Sequence, residues 1–291
     1  PSSVDTIPEQ LSERGYRTVC VSPIAQLSEA TGLDRGFDDF QYLARETLLD
    51  EAGLPTVLRF LRNIRHHSGG LTTDTTKHSI GYLTTAIAKR HIHRASRGTD
   101  PLFLYTHLGD SHHAYYPPKG WQDTFADELQ LPLDEALNVV IEMSDSLIEN
   151  IADGLPFTDA EWNAIELLYD SCLRYVDYLA GEIVDAARSA LDDPLIVITG
   201  DHGELLGEQG CLAHMLVVNA AVSNVPLVIS GVDDLGETET PVQHADALQL
   251  VLEECGLSIP VPAGTDIRSS ERTAAVVQRG GKRAQKKLTQ I

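Results

Sequence analysis

Short apolar segments alternate with amphipathic segments of helical length along this chain, and this alternation restricts the fold more than any other feature. The four runs of strand length are Arg17 to Ser22, Leu102 to Leu108, Leu195 to Thr199 and Val225 to Ser230. The run at 195 is apolar at almost every position, which predicts a strand buried on both faces. Apolar strands that alternate with helices predict an α/β fold, with a mostly parallel sheet and helices on both of its faces.

Two capping boxes predict where helices begin. Thr6 to Glu9 opens a short helix that ends near Gly15, and Thr158 to Glu161 opens the clearest helix of the chain. The apolar stripe of this second helix runs from Trp162 to Ala187, with Gly181 as a potential break. Further helices are predicted over residues 54–64, 74–91, 133–151 and 244–255.

Composition limits the classes of function. The 43 Asp and Glu residues outnumber the 22 Lys and Arg residues, and 42% of the chain is hydrophobic, which indicates a folded globular protein. A net charge of -21 argues against nucleic acid or an anionic membrane as a partner. No apolar run is long enough to be a membrane segment. Many acidic residues with little Lys are typical of halophilic proteins, although an ordinary acidic enzyme fits the same balance.

Cysteine usage and the chain start bear on the compartment. The four cysteines are far apart and form no CxxC pair, which favours reduced thiols over disulfides or a Cys-rich zinc site. No secretory signal is visible, so the cytoplasm is the default location. Because the chain begins at Pro1 rather than Met, we expect a fragment of a longer protein, and a signal further upstream stays open.

Polar side chains follow two of the predicted strands. Asp110, His112 and His113 come after the run at 102, and Asp201 and His202 come after the run at 195. Ligands of an open parallel sheet bind beyond the carboxyl ends of its strands, and a carboxylate with an imidazole suits a divalent cation. Such a cation would neutralise charge on a transferred sulfuryl or phosphoryl group. Without further context, a turn with a helix cap explains Asp201 and His202 equally well.

The histidines of the chain fall into candidate site residues and surface residues. His112 and His214 are candidates to donate hydrogen bonds to the oxygens of such an anion, or to protonate a leaving group. Those on polar helical stretches, such as His66, His67 and His91, are interpreted as surface residues.

Four stretches, in order along the chain, resemble the sulfatases, a family of the alkaline-phosphatase-like superfamily of metal-dependent hydrolases. They are TIPEQLSERGYRTVCVS from Thr6, GLDRGFDDF from Gly32, LFLYTHLGDSHHAYYPP from Leu102, and the segment from Pro194 with its DHGE, LGEQG and VPL strings. The resemblance implies the three-layer sandwich of that superfamily, here incomplete at both ends. It implies a partial catalytic domain over residues 1–278, followed by a basic polar tail over 279–291 that leads to a missing C-terminal subdomain.

The same resemblance implies roles for four residues. Asp201 and His202 match two of the family's metal ligands, His112 matches the loop histidine that contacts the sulfate ester, and His214 matches a Lys or His facing the same group. Many sulfatases have Asn in place of His202, so manganese or zinc joins calcium, the family's usual metal, as a candidate. The implied substrate is a small-molecule or glycan sulfate ester, which the sequence does not specify further.

The family's nucleophile motif is absent from the chain. That nucleophile is a Cys or Ser in Cys/Ser-x-Pro/Ala-x-Arg, matured to formylglycine, whose hydrated aldehyde attacks sulfur. Cys20 to Pro23 lacks the Arg and lies too late in the chain, so Cys20 is interpreted as a buried strand residue. The family's paired N-terminal aspartates are also absent. We therefore expect the formylglycine and these aspartates upstream of residue 1, and no activity from the chain alone.

Three functions stay open at this point. The first is a metal-dependent sulfuric ester hydrolase, as part of a longer protein. The second is a phosphodiesterase, phosphonate monoester hydrolase or phosphotransferase of the same superfamily, which His202 and the missing nucleophile allow. The third is a non-catalytic binding module, because two ligands from one strand end hold a divalent ion poorly.

Overall fold

The computed structural model describes residues 6–27, 29–44, 47–70, 77–214, 218–236 and 240–269. Contacts divide the chain into a first unit that ends at Asp192 and a second that begins at Asp193. The tail over 279–291 lies outside the described residues.

A parallel sheet is the centre of the first unit. Its strands are β1 (Arg17–Ser22), β2 (Asp39–Tyr42) and β3 (Leu102–Thr106), in the order β2, β1, β3. Val19 of β1 aligns with Asp39 on one side and with Leu104 on the other, and both pairings are parallel. Cys20 is fully buried in β1, and this burial raises the pKa of its thiol to about 12. The predicted parallel sheet is therefore present, and β2 is an additional strand that the sequence reading missed.

Four helices of the first unit begin at or next to their predicted starts, whereas the helix predicted over 74–91 begins at Ile80 and ends at Ala95. The helices of this unit are α1 (Ile7–Ser12), α2 (Leu48–Ala52), α3 (Leu54–Arg62), α4 (Ile64–His67), α5 (Ile80–Ala95), α6 (Leu133–Asp145), α7 (Leu147–Ala152) and α8 (Asp159–Ala190). Both capping boxes form, at Thr6 and at Thr158. Helix α8 continues through Gly181 without a break, whereas the helix predicted over 133–151 is divided at Ser146.

Helix α5 joins the sheet to α8. Its buried Leu83 and Ile87 pack in one cluster with Val19 and Val21 of β1. Burying one such side chain contributes roughly 1.5–3 kcal/mol relative to leaving it in water. On α8, the apolar stripe predicted from the sequence is buried at Ile165, Leu168, Cys172, Tyr175 and Leu179. The sheet, α5 and α8 therefore form successive layers that support the loop after β3.

His91 on α5 corrects the interpretation of this histidine as a surface residue. Only 4% of His91 is exposed, and its Nε2 lies 2.8 Å from Oε1 of Gln41 on β2. Burial lowers the pKa of His91 to about 4, so the ring is neutral at physiological pH.

The strands of the second unit form two antiparallel pairs. Strand β4 (Ile196–Thr199) pairs with β7 (Leu227–Ser230), and β5 (Leu205–Leu206) pairs with β6 (Leu212–Ala213). The helices are α9 (Ala220–Ser223) and α10 (His244–Glu254). The prediction of burial on both faces at 195–199 is wrong here, because Ile198 is 38% exposed and Val228 opposite it is 56% exposed. None of the helices in the described ranges has the length and apolar character needed to cross a membrane.

Candidate active site

Asp201 and His202 follow directly after β4. Oδ1 of Asp201 accepts a hydrogen bond of 3.0 Å from the backbone N–H of His202, and Oδ2 of Asp201 lies 3.7 Å from Nε2 of the His202 ring. Because 60% of the Asp201 side chain is exposed, its carboxylate is open to an ion or a ligand. The structure therefore places both predicted metal ligands side by side at the carboxyl end of β4.

The imidazole of His202 has a defined tautomer. Its Nδ1 lies 2.9 Å from the carbonyl oxygen of Gly203, and a carbonyl oxygen only accepts hydrogen bonds. Nδ1 therefore carries the proton, which leaves the lone pair of Nε2 for a cation. Metal-binding histidines in proteins are commonly oriented by such a bond from the other ring nitrogen to a backbone carbonyl.

The short antiparallel hairpin of β5 and β6 brings the side chains of Glu204 and His214 into contact. Nδ1 of His214 is 3.2 Å from each carboxylate oxygen of Glu204, whose side chain is 5% exposed. The hydrogen bond to Glu204 raises the pKa of His214, and the negative charges of Glu204 and Asp201 add to this effect, while burial opposes it. The arrangement favours a protonated His214, which suits an anionic ligand.

His202, Glu204 and His214 form one cluster of ligand atoms. The two imidazole rings stack with centroids 3.9 Å apart, and the donor atoms of all three residues lie within 4.8 Å of one another. Two imidazole nitrogens and one carboxylate are a donor set that zinc and similar ions accept, but only if His214 gives up its proton, because a metal ligand needs the nitrogen lone pair. Glu204 was not singled out from the sequence. The signal that could have found it is the Gly207-to-Gly210 turn, which folds Glu204 and His214 together.

His112 lies in the first unit, on the loop that follows β3. His112 is exposed, and its Nδ1 lies 2.9 Å from the carbonyl oxygen of His113, to which it donates a hydrogen bond. The neighbouring His113 is held by a 3.0 Å contact between its Nδ1 and Oγ of Ser144 on α6. Of this pair, His112 is therefore the one that presents an accessible imidazole.

Comparison with known families and proteins identifies relatives. A family model described as Sulfatase matches residues 1–254. A sulfatase of Formosa agariphila is 28% identical over 174 residues, which are 54% of this chain and 33% of that protein. A choline-sulfatase of Rhizobium meliloti is 32% identical over 94 residues, which are 31% of this chain and 18% of that protein. The chain thus spans a third or less of the length of these curated relatives.

Solved structures agree on the fold. A 2-O GAG sulfatase superposes with a TM-score of 0.58 at 14% identity, over 95% of this chain and 59% of that chain. Ps i-CgsB, solved in complex with k-i-k-neocarrahexaose, superposes with a TM-score of 0.54 at 16% identity, over 92% of this chain and 57% of that chain. At these identities the likeness establishes a shared architecture alone.

Proposed function

Since the chain belongs to the sulfatase family, we propose that the complete protein hydrolyses a small-molecule or glycan sulfate ester with the help of a divalent cation. The observation that carries this proposal is the grouping of Asp201 and His202 after β4, with His214 stacked on His202. A cation held by Asp201 and His202, together with a His214 ring whose pKa is raised, would stabilise the negative charge of a sulfate ester.

Asp201 and His202 are the proposed cation ligands. A cation bound there would neutralise the charge that develops on the sulfuryl oxygens. The donor set offers imidazole nitrogen as well as carboxylate oxygen, whereas calcium prefers oxygen ligands throughout. The residues present therefore fit manganese or zinc at least as well as the calcium usual in the family.

His214 and His112 are the proposed partners of the sulfate group. Because Glu204 holds a proton on Nδ1 of His214 and raises its pKa, this ring offers a positive charge and a second N–H to an anion. The imidazole of His112, an exposed residue, is proposed to contact the ester or to protonate the departing oxygen. The chain contributes these binding groups, and its sequence holds no nucleophile motif of the family.

Kinetics of the full-length gene product test the proposal. We expect turnover of an aryl sulfate to exceed turnover of the matching aryl phosphate. Asp201→Asn, His112→Ala and His214→Ala should each lower kcat/KM by roughly 10²-fold or more, as loss of a general acid or of an anion-stabilising group does. His93→Ala is the matched control, since His93 is an exposed histidine on α5.

Two outcomes would replace the proposal. A preference for the phosphate ester, with the same residues required, would assign a phosphate ester hydrolase or phosphotransferase of the same superfamily, which the His202 imidazole also suits. Turnover of neither ester by the full-length product, with retained binding of sulfate, would assign a non-catalytic binding module.

A further inference from the structure

Asp110 lies between β3 and His112, and its carboxylate turns back towards the start of α5. Ser79 is the N-cap residue of α5, and its Oγ lies 3.1 Å from Oδ1 of Asp110. The backbone N–H of Gly81 in the first turn also donates a hydrogen bond to this carboxylate. The carboxylate thus accepts from one N–H group that the helix itself leaves without an intrahelical partner, at the end where the helix dipole favours negative charge.

Tyr175 on α8 extends this contact into a directed chain. Its hydroxyl lies 2.6 Å from Oγ of Ser79. An ionised carboxylate only accepts hydrogen bonds, so Ser79 donates its proton to Asp110, and Tyr175 must then donate to Ser79. The sequence of bonds from Tyr175 through Ser79 to Asp110 therefore ties the loop after β3 to both α5 and α8.

Packing leaves the carboxylate little freedom. A methyl group placed on Gly81 would lie 2.1 Å from Oδ2 of Asp110 and 2.5 Å from Cδ1 of Leu179, so only glycine fits beneath this carboxylate. The enclosure raises the pKa of Asp110 to about 6. The start of α5 thus encloses the carboxylate, and Leu179 of α8 lies next to the same Gly81.

The position of His112 depends on that of Asp110 through the backbone. The N–H of His112 donates a hydrogen bond of 3.1 Å to the carbonyl oxygen of Gly109, which closes a turn with Asp110 as its second residue and His112 as its fourth. On the other side, the ring of His112 is held by the carbonyl of His113. Fixing the side chain of Asp110 therefore fixes the turn that presents the imidazole.

We propose that Asp110 is a positioning residue for His112: its carboxylate anchors the turn on the first turn of α5, and so sets where the His112 imidazole stands. This inference rests on the proposed role of His112 in sulfate ester hydrolysis. Asp110 itself contacts the start of α5 and is linked to α8 through Ser79, and it acts on the substrate through His112 alone.

A comparison of two aspartates separates positioning from stability. Asp38 is the matched control, because its Oδ2 accepts the backbone N–H of Thr18 at 2.8 Å and the Thr18 hydroxyl at 3.0 Å, the same chemistry near the amino ends of β1 and β2. Asp110→Asn and Asp38→Asn should both lower the melting temperature. In histidine-labelled chain, Asp110→Asn should shift the ring signal of His112 (assigned with His112→Asn), while Asp38→Asn leaves it in place.

Kinetics of the full-length protein supply the second readout. Asp110→Asn should lower kcat by roughly 10- to 100-fold, the effect of misplacing a reacting group by about 1 Å, with a smaller change in KM, and Asp38→Asn should leave kcat unchanged. An unmoved His112 signal in Asp110→Asn, or an equal loss of kcat in Asp38→Asn, would overturn the inference. If His112→Ala itself retains full turnover, the proposed function of His112 fails, while the ring signal still decides whether Asp110 positions it.

Discussion

Nδ1 of His214 lies 3.2 Å from both carboxylate oxygens of Glu204, ten residues away across a hairpin. Glu204 is the most enclosed member of its cluster, with 5% of its side chain exposed against 19% for His214 and 34% for His202. A carboxylate held this closely is a fixed counter-ion for the imidazole. The protonation state of His214 is therefore set by a neighbour that the resemblance to the family did not assign.

Glu204→Gln should lower the pKa of His214. In the native protein the pair raises this pKa, so its contribution to stability is present below the pKa of an unfolded histidine, about 6.5, and is lost as pH rises through the raised native value. The destabilisation by Glu204→Gln should accordingly be larger at pH 6 than at pH 9. Titration of the His214 ring by NMR, with urea unfolding at both pH values, measures the two effects.

Glu208→Gln is the control for this titration. Its carboxylate accepts the N–H of Leu206 at 2.6 Å in the same hairpin. An unchanged pKa of His214 in Glu204→Gln, or an equal fall in Glu208→Gln, would contradict the assignment of Glu204 as the counter-ion.

Metal titration of the chain tests the proposed cation ligands. We expect zinc or manganese to bind more tightly than calcium, because His202 offers a nitrogen where calcium prefers oxygen. His202→Ala and Asp201→Asn should each weaken binding by roughly 10-fold or more, in the range seen when groups that ligate or orient a metal are removed. Calorimetry gives the affinities. Calcium binding of equal strength, unaffected by His202→Ala, would count against this site.

Local sequence signals predicted the parts of this fold that local interactions determine. The capping boxes at Thr6 and Thr158 need only residues three positions apart, and both form as expected. The stripe on α8 follows the helical period, which tertiary contacts reinforce rather than alter. Strand β1 was also predicted at its observed bounds, since a run of strand length with three apolar residues at its centre, Val19 to Val21, has few alternatives in an α/β pattern.

The features that the sequence did not predict depend on contacts between residues that are far apart in the chain. The apolar run at β4 does not encode the direction or burial of its neighbour, and Ile198 lies in an antiparallel pair with a partly exposed face. His91 was interpreted as a surface residue because its own helix is polar, but Gln41 of β2 supplies a partner from 50 residues away. In the candidate site, Asp201, His202 and Glu204 are close in sequence, whereas His214 joins His202 and Glu204 only when the hairpin closes.

Two helical glycines should respond in opposite directions to replacement by alanine. At Gly81 the new methyl group would collide with Asp110, so Gly81→Ala should destabilise the chain by about 1–3 kcal/mol. At Gly181, inside α8, nothing lies within 4 Å, so Gly181→Ala should stabilise it by about 1 kcal/mol through helix propensity. Urea unfolding of the two variants beside the parent chain gives both values. Equal effects of the same sign would refute the packing described at Asp110.

Buried histidines should make the protein sensitive to acid. Burial lowers the pKa of His91 to about 4, whereas an unfolded histidine titrates at about 6.5. Between these values the unfolded chain binds a proton at His91 that the folded chain does not. The free energy of unfolding should therefore fall as pH drops from about 6.5 towards 4. His91→Gln should flatten this part of the stability curve, although His67, whose pKa burial also lowers to about 4, leaves a remaining slope. His93→Gln, at an exposed position of α5, serves as control. Thermal melts across this pH range would show an unchanged slope if His91 were not involved.

The hydrogen bond between Ser79 and Tyr175 spans 96 residues of sequence. On a ribosome, chain emerges at about 5–20 residues per second, so β3 and the loop after it leave the exit tunnel seconds before Tyr175 does. During that interval the turn carrying His112 has Ser79 but lacks the hydroxyl that directs it. The imidazole therefore reaches its final place only when α8 has been synthesised, and a nascent chain arrested before residue 175 would present His112 on an unanchored loop.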